Sequence, residues 1–274
     1  MIFGGAKKNG GFSSNELYSL DLSHGESKSN WNIIECKDIK PGRRYGHTMV
    51  NFKSNIILFG GVLKEKNKLT NEIWILNLEN YLKRNENKIS HSSTLSVKIY
   101  FTWKLIKFDS NKLSPQPRMY HSCGICKTGK ARGMITIFGG RDANGEALND
   151  VWGLRKHKNG NWEWVLPMCD KSTVPLGRYQ HTVIFYSNFM ILFGGRGDEN
   201  KDFNSLGMPI EMFNTQSLNW TTNLYLFDKY RHTSFLLDNF VYLHGGCNLS
   251  TPSDPNEIID VYNVQELCYN YNTR

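Results

Sequence analysis

No stretch of this chain is apolar for long enough to cross a bilayer as a helix, which takes roughly 20 consecutive residues. The start, Met1-Ile2-Phe3-Gly4-Gly5, lacks the charged, apolar and small-residue order of a secretion signal. On these absences neither a membrane-spanning helix nor a membrane partner is expected, and the expected setting is cytoplasmic, with the nucleus as the other option. Helical periodicity is missing as well. The six cysteines (36, 123, 126, 169, 247, 268) are scattered, and a chain of this size without a signal does not need disulfide staples. Cys123-Gly124-Ile125-Cys126 has no second Cys-x-x-Cys to complete a zinc site. It also falls in an expected strand, where residues three apart face opposite ways. No metal and no cofactor is expected. Enzyme signatures are also absent: no Gly-x-x-x-x-Gly-Lys-Ser/Thr, no Gly-x-Ser-x-Gly and no His-Glu-x-x-His. The expectation is a protein that is not an enzyme.

What is present leans toward β structure. Aromatics make up 13% of the 274 residues, with 7 Trp and 13 Tyr, and such side chains pack well on pleated surfaces. The net charge of +8 permits an acidic partner. Much of it sits in Lys/Asn-rich stretches, Lys64 to Lys68 and Lys83 to Lys88, which read as solvated loops and imply no nucleic-acid partner.

One pattern organises the chain. A short apolar run ends in two glycines at Gly4-Gly5, Gly60-Gly61, Gly139-Gly140, Gly194-Gly195 and Gly245-Gly246. A buried strand followed by backbone that only glycine tolerates is the physical reading. Five copies with matching flanks describe a repeat whose period is roughly 50 residues. The interval from Gly60 to Gly139 is longer because it carries an insert, 81–96, of Asn, Lys, Ser and Thr. That insert is expected to be a removable surface excursion.

Before each of the last four glycine pairs lies a leading turn ending in His. Arg44 and His47, Arg118 and His121, and Arg178 and His181 share the Arg-x-x-His spacing, and Lys229 precedes His232 in the same way. Recurrence in successive units argues for a packing or hydrogen-bonding device rather than catalysis, with Arg satisfying carbonyls and His presenting its two nitrogens to neighbouring backbone. Two strands and a tight turn fit between His and the glycines. A third strand headed by Asn follows at Asn15, Asn71, Asn149 and Asn256, whereas Met208-Pro209-Ile210-Glu211 suggests an irregular or edge-like strand. A fourth opens with Trp at Trp31, Trp103, Trp162 or Trp164, and Trp220, and Cys268-Tyr269 takes that slot in the last unit.

Four short antiparallel strands per unit describe propeller blades. With Arg-x-x-His, Phe-Gly-Gly, Asn-Asp-Val-Trp and a closing Trp in order, the chain resembles the kelch-repeat β-propellers over nearly its whole length. The resemblance implies an all-β kelch-type β-propeller of four-stranded antiparallel blades. About five are visible, with units near 1–40 (partial), 41–112, 113–172, 173–226 and 227–274. Kelch propellers commonly close with six blades, so five glycine pairs and four leading turns imply an array incomplete at its N-terminus.

The resemblance also implies a scaffold or adaptor that binds another protein through loops on one end. Two loop families open on that end, one after the second strand and one leading into the first. They contribute Arg141, Asp142, Arg196 and Asp198, and Tyr45, Met119, Tyr179 and Tyr230. Arg offers a planar fork for carboxylate or phosphate, and Tyr supplies rigid contact area. The expected ligand is an acidic or phosphorylated segment. The alternative is a regulatory kelch domain of a larger enzyme such as a kelch-linked phosphatase or a ubiquitin-ligase subunit. The phosphatase's Gly-Asp and Gly-Asn-His-Glu strings do not occur in this chain.

Overall fold

The structure is a computed structural model that describes residues 1–20, 30–79, 101–109, 111–198, 207–251 and 257–272. The 81–96 insert and Asn256 lie outside the described residues. The chain forms two compact units, Met1–Lys107 and Phe108–Arg274.

In the first unit, Ile2–Phe3, Leu17–Leu20 and Trp31–Ile34 make a three-stranded antiparallel sheet. Next comes a four-stranded antiparallel meander of Thr48–Phe52, Asn55–Phe59, Ile73–Asn77 and Phe101–Ile106, with Cys36–Lys37 added in parallel on the outer edge. Phe3, Leu17 and Ile34 of the first sheet form one core with Ile56, Leu58, Trp74, Leu76 and Trp103 of the second.

The second unit holds two complete four-stranded meanders. One is Ser122–Ile125, Ile135–Arg141, Ala147–Lys156 and Trp162–Val165. The other is Thr182–Tyr186, Phe189–Phe193, Met208–Asn214 and Trp220–Phe227. A last sheet, Thr233–Leu237, Phe240–His244 and Asp260–Asn263, has three strands.

The period-2 alternation of a strand explains how these sheets stack. Phe189–Phe193 is buried at every position. Its Met190 and Leu192 pack with Phe138, Val151 and Trp220 toward the preceding sheet, while Ile191 and Phe193 pack with Val241 and Leu243 of the following one. A strand sandwiched between two sheets must be apolar on both faces, which is why these runs read as continuously hydrophobic. Burying each such side chain is worth about 1.5–3 kcal/mol. In three blades the first two strands are joined by two-residue turns, with Lys53, Ser187 and Asp238 at positive φ, whereas residues 126–134 join Ile125 to Ile135 in a further blade.

Three elements differ from expectation. Met208–Asn214 is irregular, as expected, but is an interior strand and not an edge; a register shift between Pro209 and Glu211 absorbs the proline, whose missing N–H would otherwise break the ladder. In the last unit the third strand begins at Asp260, beyond the Asn256 position expected from the motif. The Cys268-Tyr269 slot is no strand but part of a helix, Val264–Asn272. Asn263 caps it: its Oδ1 accepts the Gln265 N–H at 3.0 Å, and its Nδ2 donates to Glu266 Oε1 at 3.0 Å. Val264 and Leu267, three apart and so on one helix face, are buried in the core shared with Ile191 and Val241. Trp31 is 53% exposed, unlike Trp103 and Trp220, which are buried.

Candidate partner-binding face

Each leading-turn cation is buried and held by its own blade. Arg44 Nη2 donates to Glu72 Oε2 at 2.8 Å, its Nη1 to the Gly60 carbonyl at 3.2 Å and its Nε to the Gly42 carbonyl at 3.2 Å. Arg118 repeats this with a bidentate pair to Asp150 at 2.6 and 2.7 Å and a bond to the Gly139 carbonyl at 2.9 Å. The indoles of Trp74 and Trp152 donate to the same carboxylates, at 3.0 and 2.7 Å. The acid of the Asn-Asp-Val-Trp motif thus joins the first strand's Arg to the third strand's Trp. In the last unit Lys229 pairs with Asp260. These acids were not singled out from sequence, although the place of Glu72 and Asp150 two residues before a Trp was visible there, and Asp260 stands two before Tyr262.

The fourth unit departs from this scheme. Glu211 stands 3.7 Å from Arg178, and Phe213 occupies the position of the donating Trp. Burial pushes Glu211 up to about 7 against the pull of Arg178, and pushes Arg178 down to about 10. Arg178 instead donates to the carbonyls of Gly194 and Pro209, at 3.3 and 3.0 Å.

All ten paired glycines have positive φ. The second glycine's N–H donates to the carbonyl of the next unit's leading cation: Gly5 to Arg44 at 2.8 Å, Gly140 to Arg178 at 3.0 Å and Gly195 to Lys229 at 2.9 Å. A Cβ on Gly139 would stand 2.5 Å from the Arg178 carbonyl oxygen, so close backbone approach as well as φ demands glycine. At two junctions histidine bonds a hydroxyl of the preceding blade, while His47 and His232 also make the expected backbone hydrogen bonds, to Phe3 and Phe193. His181 Nε2 meets Ser122 Oγ at 2.8 Å and His232 Nε2 meets Thr182 Oγ1 at 2.8 Å. The Nδ1 atoms of His181 and His232 are buried without a hydrogen-bond partner. Burial holds His47 and His232 down to about 4 and His181 well below the ordinary histidine range.

The two loop families meet in every blade that has both. Tyr45 pairs with Val62, Met119 bridges Arg141, Tyr179 bridges Arg196 and Tyr230 pairs with Cys247. In the second unit this brings five of the expected site residues into a contiguous series. Met119 and Arg141 exchange backbone hydrogen bonds at 3.1 and 2.8 Å, and the Arg141 guanidinium lies 5.5 Å from the Tyr179 ring centroid. Tyr179 and Arg196 exchange bonds at 2.8 Å, and Arg196 lies 5.1 Å from the Tyr230 ring. Arg231, which sequence reasoning did not include, adds a second guanidinium 5.8 Å from that ring. Backbone bonds from Gln180 N–H to the Tyr120 carbonyl and from Arg231 N–H to the Gln180 carbonyl, each 2.9 Å, run beside the series.

Within the series Tyr179 and Tyr230 are 7% and 5% exposed, covered by the arginines that lie over their rings and by backbone pairing. The three remaining expected residues lie outside it. Asp142 Oδ1 accepts the N–H groups of Asn144 and Glu146, both at 2.9 Å, and so shapes its own loop. Asp198 Oδ1 accepts the Ala147 N–H at 2.7 Å, tying two neighbouring loops together. Tyr45 belongs to the first unit, where its ring packs 4.9 Å from Phe12.

Four-stranded antiparallel meanders, paired positive-φ glycines and a repeated cation–acid–Trp anchor define a kelch-type β-propeller. The family model described as Attractin/LZTR1 beta-propeller matches residues 1–270, and the chain belongs to that family. It is similar to the serine/threonine-protein phosphatase BSL2 of Arabidopsis thaliana, 28% identical over 185 residues, which is 68% of this chain and 15% of the relative. An F-box/kelch-repeat protein of the same plant is 30% identical over 179 residues, 62% of this chain and 32% of the relative. Human Host cell factor 2 is 30% identical over 197 residues, 71% and 22% respectively. The chain therefore spans at most a third of the length of these relatives. Among the described residues no helix is long and apolar enough to cross a membrane.

Proposed function

We propose that this propeller is a non-catalytic interaction module that captures an acidic or phosphorylated segment of another protein. The observation that carries the reading is the arginine–tyrosine series Arg141–Tyr179–Arg196–Tyr230. Its guanidiniums meet no carboxylate among the described residues, whereas the leading-turn cations Arg44, Arg118, Arg178 and Lys229 all do. Flat cations lying over buried rings offer in-plane N–H donors to a bidentate anion, all of them at Arg196 and those not taken by the Gly145 carbonyl at Arg141. Met119 lies half-buried beside Arg141 and adds apolar contact.

The experiment is affinity capture with the double variant Arg141→Glu/Arg196→Glu. Loss of the main captured protein with an unchanged circular dichroism spectrum is expected. Retention, with loss caused instead by substitutions at the opposite loops, overturns the choice of face. Similarity to the phosphatase BSL2 favours a second reading, a regulatory propeller belonging to a larger enzyme. Sequencing the full-length transcript for an adjoining catalytic domain decides between the two.

A further inference from the structure

The series is not uniform, and its differences indicate which anion it suits. Arg141 has its Nε bound to the Gly145 carbonyl at 2.7 Å, which leaves only part of its fork available. Arg196 and Arg231 make no side-chain hydrogen bond or ion pair among the described residues, and both guanidiniums lie within 6 Å of one ring, that of Tyr230. Their backbones are fixed, Arg196 by its paired bonds to Tyr179 at 2.8 Å and Arg231 by its N–H to the Gln180 carbonyl at 2.9 Å. Arg231 holds this place with φ of 59°. The acid nearest Arg196 in sequence, Asp198, turns its Oδ1 to the Ala147 N–H.

Two like charges gathered on one buried ring with no carboxylate paired to them among the described residues is an arrangement an anion relieves. We infer that Arg196 and Arg231 form a receptor for a phosphate monoester dianion, carried as a phosphorylated side chain on the bound segment. This rests on the partner-binding reading above and sharpens it. A carboxylate brings one charge and two oxygens, enough for one fork. A phosphoserine or phosphothreonine brings about −1.5 to −2 charge at pH 7 and three acceptor oxygens, which match two forks. The partly committed Arg141, on its own ring, then serves a carboxylate elsewhere in the same segment. Because the rings and backbone are already in place, the free protein loses little conformational freedom on binding.

The test uses the intact chain with two probes, O-phospho-L-serine and L-glutamate, compared by calorimetric titration at constant ionic strength. Phosphoserine is expected to bind at least about tenfold more tightly than glutamate, a difference of about 1.4 kcal/mol. Its affinity should fall as pH drops through about 6, where the phosphate takes its second proton. Arg196→Gln and Arg231→Gln should each weaken phosphoserine about tenfold, while Arg141→Gln changes it less than about threefold. Arg231 is exposed, so its variant keeps the test decisive if the Arg196 variant misfolds. Equal affinity for the two probes, or phosphoserine binding that survives both substitutions, overturns the inference. If capture of the partner depends on Arg141 and Arg196 but phosphoserine is not preferred, the inference fails and the partner-binding reading stands. Phosphoserine preference with capture unaffected has the reverse meaning.

Discussion

Glu211 stands 3.7 Å from Arg178, whereas Asp150 grips Arg118 through two parallel bonds at 2.6 and 2.7 Å. The two pairs occupy the same place in adjacent blades. The difference lies in the third partner. Asp150 accepts a bond from Trp152, but the residue two beyond Glu211 is Phe213, so among the described residues the hydrogen bond Glu211 accepts from a side chain is that of Thr222 Oγ1, at 2.9 Å. With its carboxylate deeply buried and less fully paired, Glu211 makes the stability of the fourth blade respond to pH near neutrality.

The sign follows from Glu211 holding its proton more tightly folded, at about 7, than at its ordinary value of 4.5. Between those values the native state binds more protons than the unfolded state, so stability falls as pH rises from about 4.5 through 7. The full span corresponds to about 3 kcal/mol. Chemical denaturation of the parent and Glu211→Gln proteins at pH 5 and pH 8 should show a smaller loss with rising pH in the variant. Parallel pH profiles would remove Glu211 as the cause.

The buried histidines act in the opposite direction. His232 titrates at about 4 when folded against 6.5 ordinarily, so its contribution is complete above pH 6.5 and lost as pH falls toward 4. His47 behaves alike. Acid unfolding monitored by tryptophan fluorescence should begin below about pH 6, and His232→Gln should shallow the slope in that window. An unchanged slope would mean that His232 is protonated in the native state.

Removing the carboxylate that grips Arg118 leaves a buried guanidinium without its counter-charge. Asp150→Ala should destabilise the protein by about 3–5 kcal/mol. Asp150→Asn, which retains one acceptor oxygen, should be milder. Equilibrium denaturation checks both, and equal losses would point to packing rather than charge.

The paired glycines differ in what surrounds them. A Cβ on Gly194 would collide with the Lys229 carbonyl oxygen of the next blade, whereas one on Gly245 meets nothing within 4 Å. Both have positive φ, 61° and 73°. Gly245→Ala should therefore cost only the conformational strain, about 1–2 kcal/mol, and Gly194→Ala clearly more. Similar melting temperatures for the two variants would refute the close approach.

The helix cap offers a milder test. Asn263→Ala should cost about 1 kcal/mol and Asn263→Ser less, because a serine hydroxyl can still accept the Gln265 N–H, read as shifts in thermal midpoint.

Sequence alone determined the repeat, because each blade must solve the same local problem. An apolar strand that faces two neighbours, followed by two residues at positive φ, leaves a string that recurs wherever the solution recurs. It also placed Arg141, Arg196, Tyr179 and Tyr230 in two loop families, since the order of strands in a meander fixes which turns share an end. The tertiary structure decided what those residues do. That Tyr179 and Tyr230 are buried platforms depends on Arg141 and Arg196 arriving from the preceding blade, a contact between loops far apart in sequence. Arg231 joined them through its backbone bond to Gln180 in another blade, and no motif marks that position. The closing helix carried a readable signal in Asn263 and Glu266, but the expected fourth strand masked it. Short-range patterns encode what a strand needs from its own neighbours along the chain. Which side chains share a ring, or which glycine N–H meets a leading-turn carbonyl, is settled only when blades stack, because those partners come from other repeats.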